Sequence, residues 1–209
     1  MRSIVTYETQ HGSAKRLAGI IAEKLGCLCV NVDTPFQAED QTSYDALILV
    51  FGFRGPYTAQ LTKLFVSRMQ GKLRYKHLIV VGEGLFSEKE FPSVAEGLRD
   101  MSGTDSFHSY FMKGQLRVAS LTPEEQALLG KFSELTGMTI TDMGEFQDSD
   151  AREIAGQIHQ LLQELPVLED PNAGAARWIC TICGYVYEGE EPPAQCPVCK
   201  QVNVFKRMD

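Results

Sequence analysis

Four cysteines near the end of the chain, Cys180, Cys183, Cys196 and Cys199, form two Cys-x-x-Cys pairs with twelve residues between them. A two-residue gap lets the backbone turn so that both sulfurs of a pair face one point. Two such turns set back to back close a tetrahedral thiolate cage around a metal. The other use of four clustered cysteines, a pair of structural disulfides, belongs to oxidising compartments. The chain begins Met1-Arg2-Ser3-Ile4-Val5-Thr6-Tyr7, a strand-like segment rather than an export signal, and has no run of eighteen apolar residues. The expectation is a cytoplasmic protein with a metal in the cage. The stretch from Trp178 onward is too short to hold together by apolar burial alone, so that metal must supply much of its stability.

The remaining chain is long enough for one domain of ordinary size, and 44% hydrophobic residues suffice for its core. A net charge of −7 argues against nucleic acid and anionic membrane as main partners, since both select basic surfaces. The other two cysteines, Cys27 and Cys29, sit in the apolar run Cys27-Leu28-Cys29-Val30, where a buried strand explains them and no chemical role is needed.

Apolar runs of strand length alternate with helical patterns. Strands are predicted at Ser3 to Tyr7, Leu28 to Val32, Ala46 to Phe51 and Leu78 to Val81; the third is apolar on both faces, as a central parallel strand would be. Between them, Leu17, Ile20, Ile21 and Leu25 mark one helix, ended by Gly26; Leu61, Leu64, Phe65 and Met69 mark a second; Val94 and Leu98 lie in a third, from Pro92 to Met101. Phe107 to Ser120 reads as an edge strand. Thr122-Pro123-Glu124-Glu125 starts a helix continued by Leu128, Leu129, Phe132 and Leu135, a weakly signalled strand falls between Gly137 and Gln147, and the last helix runs from about Ser149 to Leu165. The alternation predicts an α/β fold, an open parallel sheet with helices on both faces. Pro166 stops the last helix, and the Pro-, Asn- and Gly-containing stretch 166–177 reads as a linker between a domain at 1–165 and a metal module at 178–209.

In such a sheet the ligand crevice lies beyond the carboxyl ends of the strands. Three loops leave those ends: Thr9 to Ser13, Gly52 to Tyr57 and Gly82 to Phe86. The first offers hydroxyls and a helix start, which suits a phosphate; the others offer glycines and aromatics around a flat ring. Taken singly, the glycines are turn formers. Three such loops together favour a nucleotide-like cofactor.

Residues 1 to about 165 resemble a flavodoxin domain, in particular the short branch that includes the flavodoxin-like protoporphyrinogen oxidases. The resemblance rests on Val5 to Ala18, on Tyr44 to Gly52 with its loop, and on Phe111-Met112-Lys113-Gly114-Gln115-Leu116. It implies FMN. Carried over by position, Thr9, Gln10, His11, Gly12, Ser13 and Ala14 would surround the phosphate, and Phe53, Arg54, Gly55, Glu83, Gly84 and Leu85 would lie near the isoalloxazine. The family usually has Ser or Thr where this chain has Glu8 and Ala14, which removes two hydroxyls; Glu8 would repel the phosphate if it pointed inward.

A tetrathiolate cage takes iron or zinc alike. The run Trp178-Ile179-Cys180-Thr181-Ile182-Cys183-Gly184-Tyr185-Val186-Tyr187-Glu188-Gly189, with Pro192-Pro193 and Cys196-Pro197-Val198-Cys199, resembles the rubredoxin-like domain at the end of rubrerythrins. That resemblance implies one iron (Fe) cycling between ferric and ferrous states. Together the two resemblances imply an electron-transfer protein that passes single electrons between FMN and the mononuclear four-cysteine iron centre and on to redox partner proteins, with a homodimer compatible with the linker. Two alternatives stand beside it: a flavin-dependent oxidoreductase acting on a small molecule or quinone, and a non-redox binding module with structural zinc and no FMN.

Overall fold

The computed structural model describes residues 1–33, 44–53, 58–69, 72–85, 88–169 and 176–208. The chain runs β1 (Ser3–Glu8), α1 (Ser13–Leu25), β2 (Leu28–Asn31), β3 (Ala46–Gly52), α2 (Gln60–Arg68), β4 (His77–Gly84), α3 (Phe91–Ser102) and β5 (Phe107–Lys113). There follow β6 (Gln115–Leu116), α4 (Pro123–Thr136), β7 (Met143–Gly144) and α5 (Asp148–Glu164). The first five strands make one parallel sheet in the order β2-β1-β3-β4-β5. This is the flavodoxin-like doubly wound order, with its switch point between β1 and β3.

The two-residue period of the strands divides the core into two layers. Val5, Ile48, Val50, Ile79 and Val81 pack with Leu17 and Ile21 of α1 and with Ile154 and Ile158 of α5. Ile4, Leu47, Leu49, Phe51, Leu78 and Val80 pack with Val66 of α2 and with Phe91 and Leu98 of α3. Helices therefore cover both faces, as the alternation of elements predicts.

Three local readings differ from the sequence expectation. First, β4 continues through Gly82 and Gly84 instead of opening into a loop. A Cβ at Gly82 would collide with the Phe91 ring, and one at Gly84 would lie 2.8 Å from the Phe53 carbonyl oxygen, so close packing rather than a turn explains these glycines. Second, α2 buries Thr62 and Val66 and leaves Leu61 and Leu64 exposed, so its buried face is rotated away from the apolar stripe. Third, α4 has the expected capping box, Thr122 Oγ1 accepting from the Glu125 N–H and Glu125 from the Thr122 N–H, yet none of its residues is buried. Its stripe of Leu128, Phe132 and Leu135 faces outward.

At the N-terminal end of β4, His77 is buried and ties down the residue that ends α5's path. A carbonyl only accepts, so His77 Nε2 donates to the Pro166 oxygen at 2.8 Å, while Nδ1 meets the Ser106 hydroxyl. The chain thus leaves the sheet at the pole opposite the crevice. Of the predicted linker, residues 170–175 lie outside the described residues.

The last segment forms β8 (Arg177–Cys180), β9 (Val186–Glu188) and β10 (Phe205–Met208), an antiparallel sheet in the order β10-β8-β9. Tyr185 and Tyr187 meet Phe205 edge-on, and Trp178 Nε1 donates to the Gly189 carbonyl at 3.0 Å. All four of these aromatics are half-buried. The module's first hairpin lies near the turn that precedes β4: burial, and then the Arg177 guanidinium, lower the Lys72 ammonium below its ordinary value, with Glu188 opposing them.

Candidate functional site

The Sγ atoms of Cys180, Cys183, Cys196 and Cys199 all lie within 4.8 Å of one another, and among the described residues they are the group able to hold a metal ion. Cys180 and Cys199 are 3.6 Å apart, as are Cys183 and Cys196. A tetrahedron with metal–sulfur bonds of about 2.3 Å has edges of nearly this length. The donor set therefore fits one tetrahedral ion.

Each Cys-x-x-Cys turn is built alike. Gly184 N–H donates to the Cys180 carbonyl at 2.9 Å, and Lys200 N–H to the Cys196 carbonyl at 3.0 Å. The residue after each pair is left-handed, Gly184 with φ 75° and Lys200 with φ 59°. Glycine takes that conformation without strain; lysine does not. The tight turns aim backbone N–H groups at sulfur: those of Ile182 and Cys183 at Cys180, that of Tyr185 at Cys183 and that of Gln201 at Cys199. Burial raises the Cys180 and Cys183 thiols alike; at Cys180 the N–H groups and the neighbouring thiols outweigh it and bring the group down to about 7, whereas at Cys183 the neighbouring thiols add to burial and push it up to about 12. Bonds from N–H to sulfur stabilise negative charge there and so favour the thiolate that a metal requires. Cys180 and Cys196 are buried, whereas Cys183 is exposed and Cys199 half-exposed, so one corner of the site faces outward.

The crevice at the carboxyl ends of β1, β3 and β4 gathers most of the other predicted residues. Gly12, with φ 89°, leads into α1. Thr9 Oγ1 accepts from the Gly12 N–H at 2.9 Å and closes the loop on itself. The N–H groups of the first helical turn have no intrahelical acceptors and present partial positive charge there. Ala14 is buried in the core. His11 Nε2 lies 3.0 Å from Glu125 Oε1, which links the loop to α4.

Two carboxylates decide what the crevice can accept. Glu8 is the first. Its Oε2 accepts from the Thr62 N–H at 2.7 Å and from Thr62 Oγ1 at 2.8 Å, in the opening turn of α2. That helix starts at Ala59 without a side-chain cap of its own, so Glu8 supplies one from 54 residues away. The carboxylate that would have repelled a phosphate is held on a different helix. Glu83 is the second: it is buried at 4% exposure, and Ser13 Oγ donates to its Oε2 at 2.7 Å. Gly114 makes room for it, since a Cβ there would overlap the carboxylate. The hydroxyl that the sequence assigns to a phosphate thus also bridges α1 to β4.

Phe53 is buried among Phe91 and Phe111, its ring 6.2 Å from the former and 6.4 Å from the latter in edge-on contacts, and belongs to the core. Gly84 lets β4 approach Phe53, and Leu85 packs close to Gly144 of β7. Arg54 and Gly55 lie outside the described residues. Thr62 has no motif to announce it, and the sequence marks Gly114 only as part of a family resemblance and Glu125 only as part of a helix start; they matter here because the fold brings them to Glu8, Glu83 and His11. Cys27, just before β2, and Cys29, on it, for which the sequence suggests no role, are half-buried, and burial pushes both thiols up.

Fold and site together define a two-part protein, a flavodoxin-like sheet followed by a tetrathiolate metal module. Residues 178–203 match the family model described as rubrerythrin, rubredoxin-like domain. Among solved structures, the chain is similar to the Streptococcus pneumonia TIGR4 flavodoxin, at 20% identity over 64% of this chain and 96% of that one, with a TM-score of 0.44. It is similar to flavodoxin 1 from Bacillus cereus, at 14% identity over 79% of this chain and 100% of that one, with a TM-score of 0.49. A flavodoxin from the domain Archaea shares 13% identity over 78% of this chain and 100% of that one, with a TM-score of 0.46. No curated protein matches the chain. The assignment of the sheet rests on its strand order and register. Among the described residues no helix is long and apolar enough to cross a membrane.

Proposed function

We propose that this protein carries electrons, with FMN in the crevice of the sheet and one iron in the four-cysteine module, and passes them singly to a redox partner protein. The observation that carries the reading is the thiolate site: four sulfurs at tetrahedral spacing, backbone N–H groups aimed at them, and one corner facing outward. A bound flavin would accept electrons singly or in pairs and the iron one at a time, so the two would convert paired reducing equivalents into single ones.

The chain's own residues support both groups. The backbone of Gly12 and the start of α1 suit a phosphate, and the Glu8 carboxylate is turned away onto Thr62. Thr9, Gln10, His11, Gly12 and Ser13 would line that end of the crevice, with Glu83, Gly84 and Leu85 towards the ring. In the module, the Cys180 and Cys196 sulfurs are shielded while Cys183 and Cys199 give a partner access to the iron. The rival reading, a flavin-free protein with structural zinc, draws on Glu83: its buried carboxyl group already takes the Ser13 hydroxyl that a phosphate would use.

Metal analysis and absorbance of protein purified without oxygen separate the two. The electron carrier should contain nearly one iron and one FMN per chain and bleach on reduction. Colourless protein with zinc would support the rival. Iron without flavin would make the sheet unit a docking platform instead of a redox centre.

A further inference from the structure

The two Cys-x-x-Cys turns of the thiolate site differ at one position. Each is closed by the N–H of the residue after its second cysteine, which donates to the carbonyl of the first, and in each that residue is left-handed. In the first turn it is Gly184, a residue type that takes this conformation freely. In the second it is Lys200, with φ 59°, whose Cβ is crowded there. The module's other left-handed residue with a side chain is Asn203, a type that tolerates the conformation through its short amide; lysine has no such group. A residue held left-handed against its type at the edge of a metal site calls for a functional reason.

What Lys200 brings is a charge, and the structure fixes where that charge goes. Its Nζ donates to the Pro197 carbonyl at 2.7 Å, so the side chain folds back over the turn that carries Cys196 and Cys199. The ammonium is thereby held on the same turn as two of the four sulfurs, and Cys199 belongs to the corner of the site that faces outward. The first turn has no counterpart, since Gly184 has no side chain. The chain is acidic overall, with a net charge of −7, so a cation pinned at this corner runs against the general balance.

Four thiolates leave a ferric ion with one net negative charge and a ferrous ion with two. Reduction adds one electron, breaks no bond and moves no proton, so a cation close by favours the reduced state over the oxidised one. We propose that the Lys200 ammonium, held by Pro197, raises the reduction potential of an iron bound by the four cysteines. Its use in electron transfer rests on the functional reading above; the effect of the charge needs only iron in the site.

The test is a spectroelectrochemical titration of full-length, iron-loaded protein at low ionic strength, with Lys200→Gln, Lys200→Arg and Lys200→Gly beside the unaltered chain. Lys200→Gln keeps a side chain in the left-handed position and loses the charge. It should lower the ferrous-to-ferric ratio at a fixed potential about threefold, the size of an exposed charge interaction, which is a fall of about 30 mV in the midpoint of a one-electron couple. Lys200→Arg should hold the midpoint, and Lys200→Gly should match Lys200→Gln although it relieves the backbone. Salt at about 1 M should bring the unaltered chain down to the level of Lys200→Gln, a prediction that needs no substitution and so stands if a variant fails to form the site. An unchanged midpoint in Lys200→Gln, an equal fall in Lys200→Arg, or a salt-independent midpoint in the unaltered chain would overturn the proposal. Protein that is purified with zinc, yet shows the charge-dependent shift once reconstituted with iron, would keep the proposal and overturn the functional reading.

Discussion

The two parts of this protein are held together by different physics. The sheet unit buries two continuous apolar layers, with Leu17, Ile48, Ile79 and Ile158 fully enclosed on one side and Phe51, Leu78 and Leu98 on the other. In the C-terminal module the buried residues among those described are Cys180, Val186 and Cys196. Two of those three are thiolate ligands. Where the large unit has a core, the small one has a metal site with aromatics around it. The same four cysteines therefore carry both the stability and the proposed chemistry of the module, whereas the sheet keeps its core and its crevice apart.

That contrast can be broken most severely by taking the metal away. Trp178 is the single tryptophan of the chain and lies in the module, so its emission reports that part, while far-UV circular dichroism reports the helices of the sheet. Chelation, or Cys196→Ser, should shift Trp178 emission to that of a solvated indole and leave the helical signal unchanged. The expected loss is on the order of the 10 kcal/mol that structural tetrathiolate sites contribute. Retained Trp178 emission would mean that the module has a core of its own.

The converse perturbation is smaller. Leu98→Ala in the second layer should destabilise the sheet by about 2–5 kcal/mol in a helix-monitored denaturant titration, with no change in the Trp178 transition. A parallel shift in both transitions would show that the two parts unfold as one.

Glu8→Ala removes the cap from α2 and should cost about 1–2 kcal/mol in the same helix signal. If stability is unaffected, the Glu8–Thr62 contact does not hold the helix, and the account of why that carboxylate avoids the first loop fails. Lys200→Gly relieves a left-handed lysine and should raise the module's stability by about 1 kcal/mol, read by Trp178 during titration of the metal-loaded protein. A loss instead would assign the Lys200 side chain a stabilising contact larger than the backbone strain.

The parallel sheet could be read from the sequence because its strands are buried on both faces, so Ala46 to Phe51 is an unbroken apolar run. The thiolate site was equally open to reading, since all of its ligands lie in two local turns. Other features depend on distant partners. Whether Gly82 and Gly84 form a loop or a strand is settled by Phe91 and the Phe53 backbone pressing on them. Where the Glu8 carboxylate goes is settled by α2, and where the Ser13 hydroxyl goes by Glu83, 70 residues on. Periodicity also marks α4 as amphipathic without saying whether anything covers its apolar face.

The central claim is that one chain holds two redox centres of different capacity. An anaerobic reductive titration of the purified protein, followed by absorbance, measures it directly. The account predicts three electrons per chain, two taken up with loss of the flavin bands and one with loss of the ferric thiolate bands. Uptake of a single electron, or of none, would contradict it.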